Sequence, residues 1–305
     1  MIIKVLGSAA GGGFPQANCN CRNCGDVRQG LPGLKPRMQS SIAASGDGLS
    51  WVLFNASPDL RQQIAATPEL SPEPGGAVRS SPIKAVVLSN GDVDHVAGLL
   101  SLREGVTFTL YASARVHTTL AANSIFNVLD AQVVPRAILP FDEPLVFPGG
   151  LLVEAFAVSG KVALYLEAGM LAEALGTQEG ETLGLKLSDG KTGVCAFYIP
   201  ACAACDQALA ARLRGAPLVL FDGTLYADEE MIAQGLSRKT GRRMGHISMS
   251  GPEGSIAAMA NLGVQRKIFV HINNSNPVLR EDSSERRAIE RAGWEVAADG
   301  MEIRL

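Results

Sequence analysis

The run Ile83-Lys84-Ala85-Val86-Val87-Leu88-Ser89 is apolar, rich in β-branched residues, and passes without a break into Asn90-Gly91-Asp92-Val93-Asp94-His95. A short continuous run of this kind reads as a strand buried on both faces. A helix is expected directly after it, over Asp94–Arg103. Two carboxylates and an imidazole therefore gather at a strand-to-helix junction. Ligands in α/β folds bind beyond the carboxyl ends of the strands. The passage asks for a layered α/β fold with a site at its strand ends, although Asp at a helix start also serves simply as a cap.

The other histidines sharpen this reading, because the chain has only four. His117 falls in the middle of an expected helix and reads as a packing or surface residue. An expected strand covers Arg266–Ile272, and His271 follows its apolar run Lys267–Val270 and opens the polar run Asn273-Asn274-Ser275-Asn276. His246 lies in Gly245-His246-Ile247-Ser248, and Asp222 follows the buried strand Pro217–Phe221. Three strand ends thus each deliver a ligand-type residue. Oxygen plus imidazole donors suit iron, manganese or zinc.

Apolar period and punctuation give the remaining elements. Strands are expected at Ile2–Leu6, Ser41–Ala44, Trp51–Asn55, Phe108–Tyr111, Ala137–Leu139, Leu151–Val158, Thr182–Leu187 and Gly193–Ile199. Helices are expected at Pro58–Ala66, Ala112–Asn123 and Cys202–Leu213. Ser250 reads as the cap of a helix that Pro252 begins and Gly263 ends. Ser283 or Ser284 caps another, ending at Gly293. Trp294–Val296 and Met301–Leu305 read as two short strands joined by a turn at Asp299-Gly300. Thr67–Pro82 reads as a surface loop, not a domain boundary. Two halves, each rich in strands and then helices, suggest two sheets face to face with helices outside, in one domain over residues 1–305.

Charge and cysteine placement narrow the function. Lys+Arg 27 against Asp+Glu 30 gives a net charge of −3, which argues against a nucleic-acid partner. Aromatic residues make up only 5%, too few for a single-strand stacking surface. No apolar run reaches the roughly 18 residues of a membrane span, so a soluble, cytoplasmic protein is expected. Cys19, Cys21 and Cys24 crowd into one loop after Gly11-Gly12-Gly13. Thiolates at this spacing can close on one tetrahedral zinc, in a structural site that needs a fourth ligand from elsewhere. Cys202 and Cys205 also have metal-like spacing but no matching second pair, and helix packing is the expected role.

Four passages together resemble the metallo-β-lactamase fold superfamily, and within it the coenzyme PQQ (pyrroloquinoline quinone) synthesis protein B family, over essentially the whole chain. They are Gly7-Ser8-Ala9-Ala10-Gly11-Gly12-Gly13-Phe14-Pro15-Gln16 ahead of the cysteines, Ser89–His95, Phe221-Asp222-Gly223-Thr224 with Gly245-His246-Ile247-Ser248, and His271-Ile272-Asn273-Asn274-Ser275-Asn276-Pro277. The resemblance implies an αββα sandwich. It also exposes a departure. The superfamily motif H-x-H-x-D-H has His where this chain has Asn90 and Asp92. A dinuclear zinc hydrolase site cannot form in the usual way. His95 and His271 remain, with Asp92, Asp94 and Asp222. Two histidines plus a carboxylate is the donor set that leaves Fe(II) open positions for oxygen chemistry.

The resemblance implies iron- and O2-dependent hydroxylation of the tyrosine ring of a cross-linked Glu–Tyr precursor of PQQ. The expected active-site ligands are Asp92, Asp94, His95, Asp222 and His271, for Fe(II) or another divalent metal. Asp94 is either a ligand or an orienter of His95, Asp222 a ligand or substrate-positioning group, and His246 an acid–base. Arg242 and Arg243 are the candidates to clamp the substrate carboxylates. Asn274 is the candidate fourth ligand of the cysteine zinc. Alternatives are a soluble carrier of PQQ or its precursor, and a hydrolase of superfamily type. The expected partners are the small molecule, other proteins of the pathway and a second copy of the chain.

Overall fold

A computed structural model of the chain describes all residues except 162–165 and 167–179. The first sheet contains β1 (Ile2–Gly7), β2 (Ser41–Ser45), β3 (Trp51–Phe54), β4 (Ile83–Val87), β5 (Thr109–Ala112) and β6 (Arg136–Ile138). The second contains β7 (Pro144–Phe147), β8 (Leu151–Ala157), β9 (Leu183–Asp189), β10 (Cys195–Ile199), β11 (Leu218–Asp222), β12 (Arg266–Val270) and β13 (Trp294–Val296). The last strand, β14 (Glu302–Arg304), returns to the first sheet beside β1. The spatial orders are β14-β1-β2-β3-β4-β5-β6 and β13-β12-β11-β10-β9-β8-β7.

The two-residue period of a strand sorts its side chains into layers. In β3, Val52 and Phe54 face the space between the sheets, while Trp51 and Leu53 face outward. In β11, Leu218 and Leu220 face inward, and Val219 and Phe221 face outward. The outer face of the first sheet is covered by the helices Leu60–Ala66 and Ala114–Ala121 through Leu60, Val116 and Leu120. The second is covered by Gln207–Leu213, Ser255–Met259 and Ser284–Arg291 through Leu209, Leu213, Met259 and Ile289. Three apolar layers separate four structural ones, which is the αββα sandwich. Burying strands on both faces is also why β4 and β11 read as unbroken apolar runs.

The parallel ladders place the site. β3 to β6 run parallel to one another, as do β10 to β13. The carboxyl ends of β4, β11 and β12 carry Ser89–His95, Asp222 and His271.

Several boundaries differ from the sequence reading for local reasons. Asp299-Gly300 is a turn, but its flanking strands do not pair with each other. β13 edges the second sheet and β14 the first. The Asp299 carboxylate accepts from the Ser8 N–H and hydroxyl and from the Met38 N–H, which pulls the turn onto the first sheet. Ser250 does not cap a helix. Its hydroxyl donates to the Tyr226 carbonyl, and the helix starts only after Gly254, at Ser255. The expected Cys202 helix starts at Gln207, where the Asp206 side chain accepts from the Leu209 N–H. The helix Arg22–Arg28, which carries Cys24, and the edge strand β7 have no counterpart in the sequence reading.

Candidate metal centre

Asn90 follows the end of β4 in a fixed turn. The Asn55 side chain accepts from the Ser89 N–H at 2.9 Å and its hydroxyl at 3.1 Å, and Asn55 itself has a left-handed backbone, φ 65. The helix Val93–Val96 begins after Asp92 and projects His95 back under the turn. His95 Nδ1 lies 2.7 Å from Asn90 Oδ1. An amide oxygen only accepts, so Nδ1 carries the proton and Nε2 carries a lone pair. That Nε2 is buried and has no hydrogen-bond partner. An orphaned imidazole nitrogen in the interior costs free energy unless something coordinates it.

Asp94 and His271 complete the surroundings of this atom. Asp94 Oδ2 is 4.0 Å from His95 Nε2 and 3.0 Å from His271 Nε2. His271 follows β12 with φ 56, the left-handed region that a histidine adopts only when its surroundings enforce it. The backbone pairing Ile272 N–H to Ser8 O, at 2.9 Å, holds the chain on the far side of that residue. The ligand atoms of Asp94, His95 and His271 lie within 4.8 Å of one another.

A second group shares His271. Asp222, His246 and His271 also lie within 4.8 Å of one another. His246 Nδ1 is 2.8 Å from Asp222 Oδ2. Asp222 is fully buried, and each of its oxygens is engaged. Oδ2 accepts from the Cys202 N–H as well as His246, and Oδ1 from the Thr224 N–H and hydroxyl. The His246 and His271 rings stack at 5.2 Å, and His95 meets His271 edge-on at 5.2 Å. Asp94 and His246, each 16% exposed at the side chain, are the open members of the set. Gly11 lies against Asp94: a Cβ there would come 3.3 Å from Asp94 Oδ2.

The charges follow from these contacts. Burial pushes the His95 imidazole down to about 4, so it is neutral. Burial works against the charge on His271 too, but the Asp94 carboxylate in contact outweighs it and raises the pKa. Burial alone would raise Asp94, yet the neighbouring imidazoles of His95, His271 and His246 hold it well below the usual carboxylate range. The unpartnered Nε2 of His95, the Nε2 of His271 paired with Asp94, and the Asp94 carboxylate therefore face a common point. The orphaned His95 Nε2 and this donor set fit a divalent cation with open positions.

The other expected residues fall elsewhere. Asp92 precedes the helix and lies outside both groups of mutually close donors among the described residues. Arg242 is 57% exposed at the side chain and pairs with Glu253 at 2.6 Å. Arg243 follows it in the same short 3-10 turn, Arg242–Met244. The side chain that runs past Gly245, beside His246, is Lys161: a Cβ on Gly245 would meet its Cγ at 2.9 Å. The sequence reading missed two residues, Asn90 as the partner of His95 and Thr224 as a partner of both other histidines.

The cysteine cluster is a separate site. The sulfurs of Cys19, Cys21 and Cys24 lie within 4.8 Å of one another. The Asn274 amide faces all three, with Nδ2 at 3.1 Å from Cys19, 3.6 Å from Cys21 and 3.3 Å from Cys24. Asn23 donates to the Asn274 and Asn276 carbonyls at 3.1 and 2.9 Å, tying the helix Arg22–Arg28 to this turn. Burial pushes the Cys21 thiol up to about 11. The three sulfurs suit a structural zinc, for which Asn274 would be the fourth ligand through Oδ1 once its amide is rotated, since Nδ2 only donates. Among Cys202 and Cys205, burial raises both thiols, the second to about 11, so neither is a ready nucleophile.

The fold and the strand-end histidine–carboxylate cluster define a protein of the β-lactamase superfamily, and the family model described as "Beta-lactamase superfamily domain" matches residues 50–272. Coenzyme PQQ synthesis protein B of Rhodopseudomonas palustris (strain BisB5) is 53% identical, with 100% of both chains covered. The protein of the same description from Xanthomonas oryzae pv. oryzae (strain MAFF 311018) is also 53% identical over 100% of both. The chain belongs to the coenzyme PQQ synthesis protein B family. The crystal structure of Zn2+-bound PqqB from Methylobacterium extorquens superposes with a TM-score of 0.95 at 49% identity, covering 100% of both chains. A diphosphatase of the PhnP family shares the fold at a TM-score of 0.66 and 19% identity, over 100% of this chain and 97% of the other. No described helix is long and apolar enough to cross a membrane.

Proposed function

We propose that this chain acts in PQQ biosynthesis as an iron- and O2-dependent hydroxylase of the tyrosine ring of the cross-linked Glu–Tyr precursor. The observation that carries the reading is the buried, unpartnered Nε2 of His95, facing Asp94 and His271. His95, His271 and Asp94 would hold the metal. A ferrous ion bound there would supply one-electron chemistry with dioxygen, one oxygen atom going onto the ring and the other leaving as water, with the two further electrons and protons supplied by an external two-electron reductant.

The protein's own residues do the rest. Asn90 keeps the His95 proton on Nδ1, away from the metal position. Asp222 keeps the His246 proton on Nδ1 and leaves its Nε2 at the mouth, as an acid–base group for the phenol. Asp222 is a positioning residue here, since four hydrogen bonds occupy its two oxygens. Lys161, beside Gly245, joins Arg242 and Arg243 as a candidate to bind the substrate carboxylates. The neutral amide of Asn90, in place of a histidine, favours one metal ion over two.

The deciding experiment is oxygen consumption with the cross-linked Glu–Tyr diamino acid. Fe(II)-loaded protein, metal-stripped protein and His271→Ala are compared, each with ascorbate as the two-electron reductant and with product mass as a second readout. Iron-dependent uptake and a product heavier by oxygen, both lost in the variant, are expected. No uptake with any metal, with PQQ binding retained after stripping, would overturn the hydroxylase reading.

A further inference from the structure

We infer that Thr224 is a positioning residue whose hydroxyl sets the proton on Nδ1 of His271 and so turns the Nε2 lone pair of His271 toward the metal. The inference rests on the metal centre of the proposed function and not on hydroxylation. Its geometry is complete on one atom. Thr224 Oγ1 lies 2.7 Å from Asp222 Oδ1, 2.8 Å from His271 Nδ1, 3.0 Å from the His271 carbonyl and 3.1 Å from His246 Nδ1.

A hydroxyl has one proton to give and two lone pairs to receive. Two acceptors compete for that proton, the Asp222 carboxylate and the His271 carbonyl. The carboxylate is nearer and ionised, and charge-assisted hydrogen bonds are roughly twice as strong as neutral ones. The proton therefore goes to Asp222 Oδ1, and the oxygen is left as an acceptor. It accepts from His271 Nδ1–H at 2.8 Å. His246 Nδ1–H is directed mainly at Asp222 Oδ2, the nearer of its two acceptors at 2.8 against 3.1 Å. Asp222 thus orients both imidazoles, one directly and one through the Thr224 hydroxyl. Such partners behind a ligating imidazole fix its tautomer and raise its basicity.

Thr224 is well placed for this because its backbone does not depend on its side chain. Its N–H donates to Asp222 Oδ1 at 3.0 Å, and its carbonyl accepts from the Asn273 N–H at 3.0 Å. The residue is 5% exposed. Removing the hydroxyl alone therefore tests the hydrogen bond and not the turn.

The test is a cobalt(II) titration against a competing chelator, on protein whose cysteine cluster is already filled with zinc. Thr224→Val keeps the shape and deletes the hydroxyl, and is expected to bind cobalt about 10- to 100-fold more weakly. Thr224→Ser restores the hydroxyl and is expected to recover affinity to within about threefold of the parent, a rescue that a purely packing role would not give. Nitrogen-15 NMR of the unmodified zinc-loaded protein supplies a readout that needs no variant. The His271 ring is expected to carry its proton on Nδ1. Wild-type affinity in folded Thr224→Val, or a metal on His271 Nδ1, would overturn the inference. Because neither readout involves oxygen, a failure of the hydroxylase reading would leave both results standing.

Discussion

Asn90 Oδ1 accepts the Nδ1 proton of His95 at 2.7 Å, so the residue standing where the superfamily motif has a metal-binding histidine serves as the orienter of the next one. The same oxygen accepts from the Asp92 N–H at 3.0 Å, which fixes the amide's own orientation. Asn90→Ala deletes the acceptor and leaves a buried Nδ1–H unpaired. The expected result is about 10- to 100-fold weaker metal binding at the histidine site, with the cysteine cluster unaffected. Chelator competition measures it. Unchanged affinity would mean that His95 is either not a ligand or not held by Asn90.

Asn274 joins the two sites through three residues of chain, since His271 lies just before it. Its amide is the fourth group around the three sulfurs. Cys24→Ser is expected to abolish zinc at the cluster, and Asn274→Ala to weaken it while leaving three thiolates in place. Zinc content after dialysis against a mild chelator separates the two. Loss of the cluster zinc should also lower the melting temperature, because a ligand bound only to the folded state stabilises it by mass action. A cluster that keeps its zinc equally well in Asn274→Ala would remove Asn274 from the coordination.

Most of the fold was legible, because strands buried on both faces announce themselves as apolar runs and their ends collect the ligand residues. Asp92 and Asp94 mark where that legibility stops. The two are equivalent in the sequence, yet the helix begins between them. Asp92 precedes it with an extended backbone, and Asp94 in the first turn pairs with His271. Asn90 looked like a lost ligand because a one-letter motif records coordination and not the hydrogen bond behind it. Thr224 carries no ligand signature, and its place in the cluster shows only in four contacts made across the ends of different strands. Asp299-Gly300 has the local chemistry of a hairpin turn. Its partners, Ser8 and Met38, are nearly the full chain length away and move it between sheets. Arg242 pairs with Glu253 across eleven residues of sequence, a contact that no local pattern announces.

His271 makes metal uptake depend on pH. Contact with Asp94 raises its pKa above the usual 6.5, whereas burial lowers that of His95 to about 4. A metal must displace the proton on His271 Nε2 but finds His95 already neutral. Apparent affinity should therefore fall about tenfold per pH unit once the pH is below the His271 pKa. It should level off above it. Titrations between pH 5.5 and 8.5 check this. A flat profile across that range would show that no proton leaves His271 on binding. In Asp94→Asn the bend should move to lower pH, since the carboxylate that raises the pKa is gone.

Glu230 should leave a separate mark on stability. It is 8% exposed, with Oε1 accepting from the Ser275 hydroxyl at 2.6 Å and Oε2 from the Tyr226 N–H at 2.8 Å. Burial pushes its carboxyl up to about 7 from the usual 4.5, in spite of those donors. The folded state then holds a proton that the unfolded state has released, throughout the interval between the two values. Stability must fall as the pH rises through that interval and stay lower above it. The full swing is about 3 to 4 kcal/mol at most, at about 1.4 kcal/mol for each pH unit of the interval. The raised pKa of His271 acts in the same direction in metal-free protein, since its stabilisation is present below 6.5 and lost above the folded value. The comparison that isolates Glu230 is therefore between the parent and Glu230→Gln, both metal-loaded, by urea unfolding at pH 5 and pH 8. The neutral amide keeps an acceptor and cannot ionise, so the variant should lose less stability over this range than the parent. Equal losses in the two proteins would show that Glu230 is already ionised at pH 5 and that its two hydrogen bonds outweigh its burial.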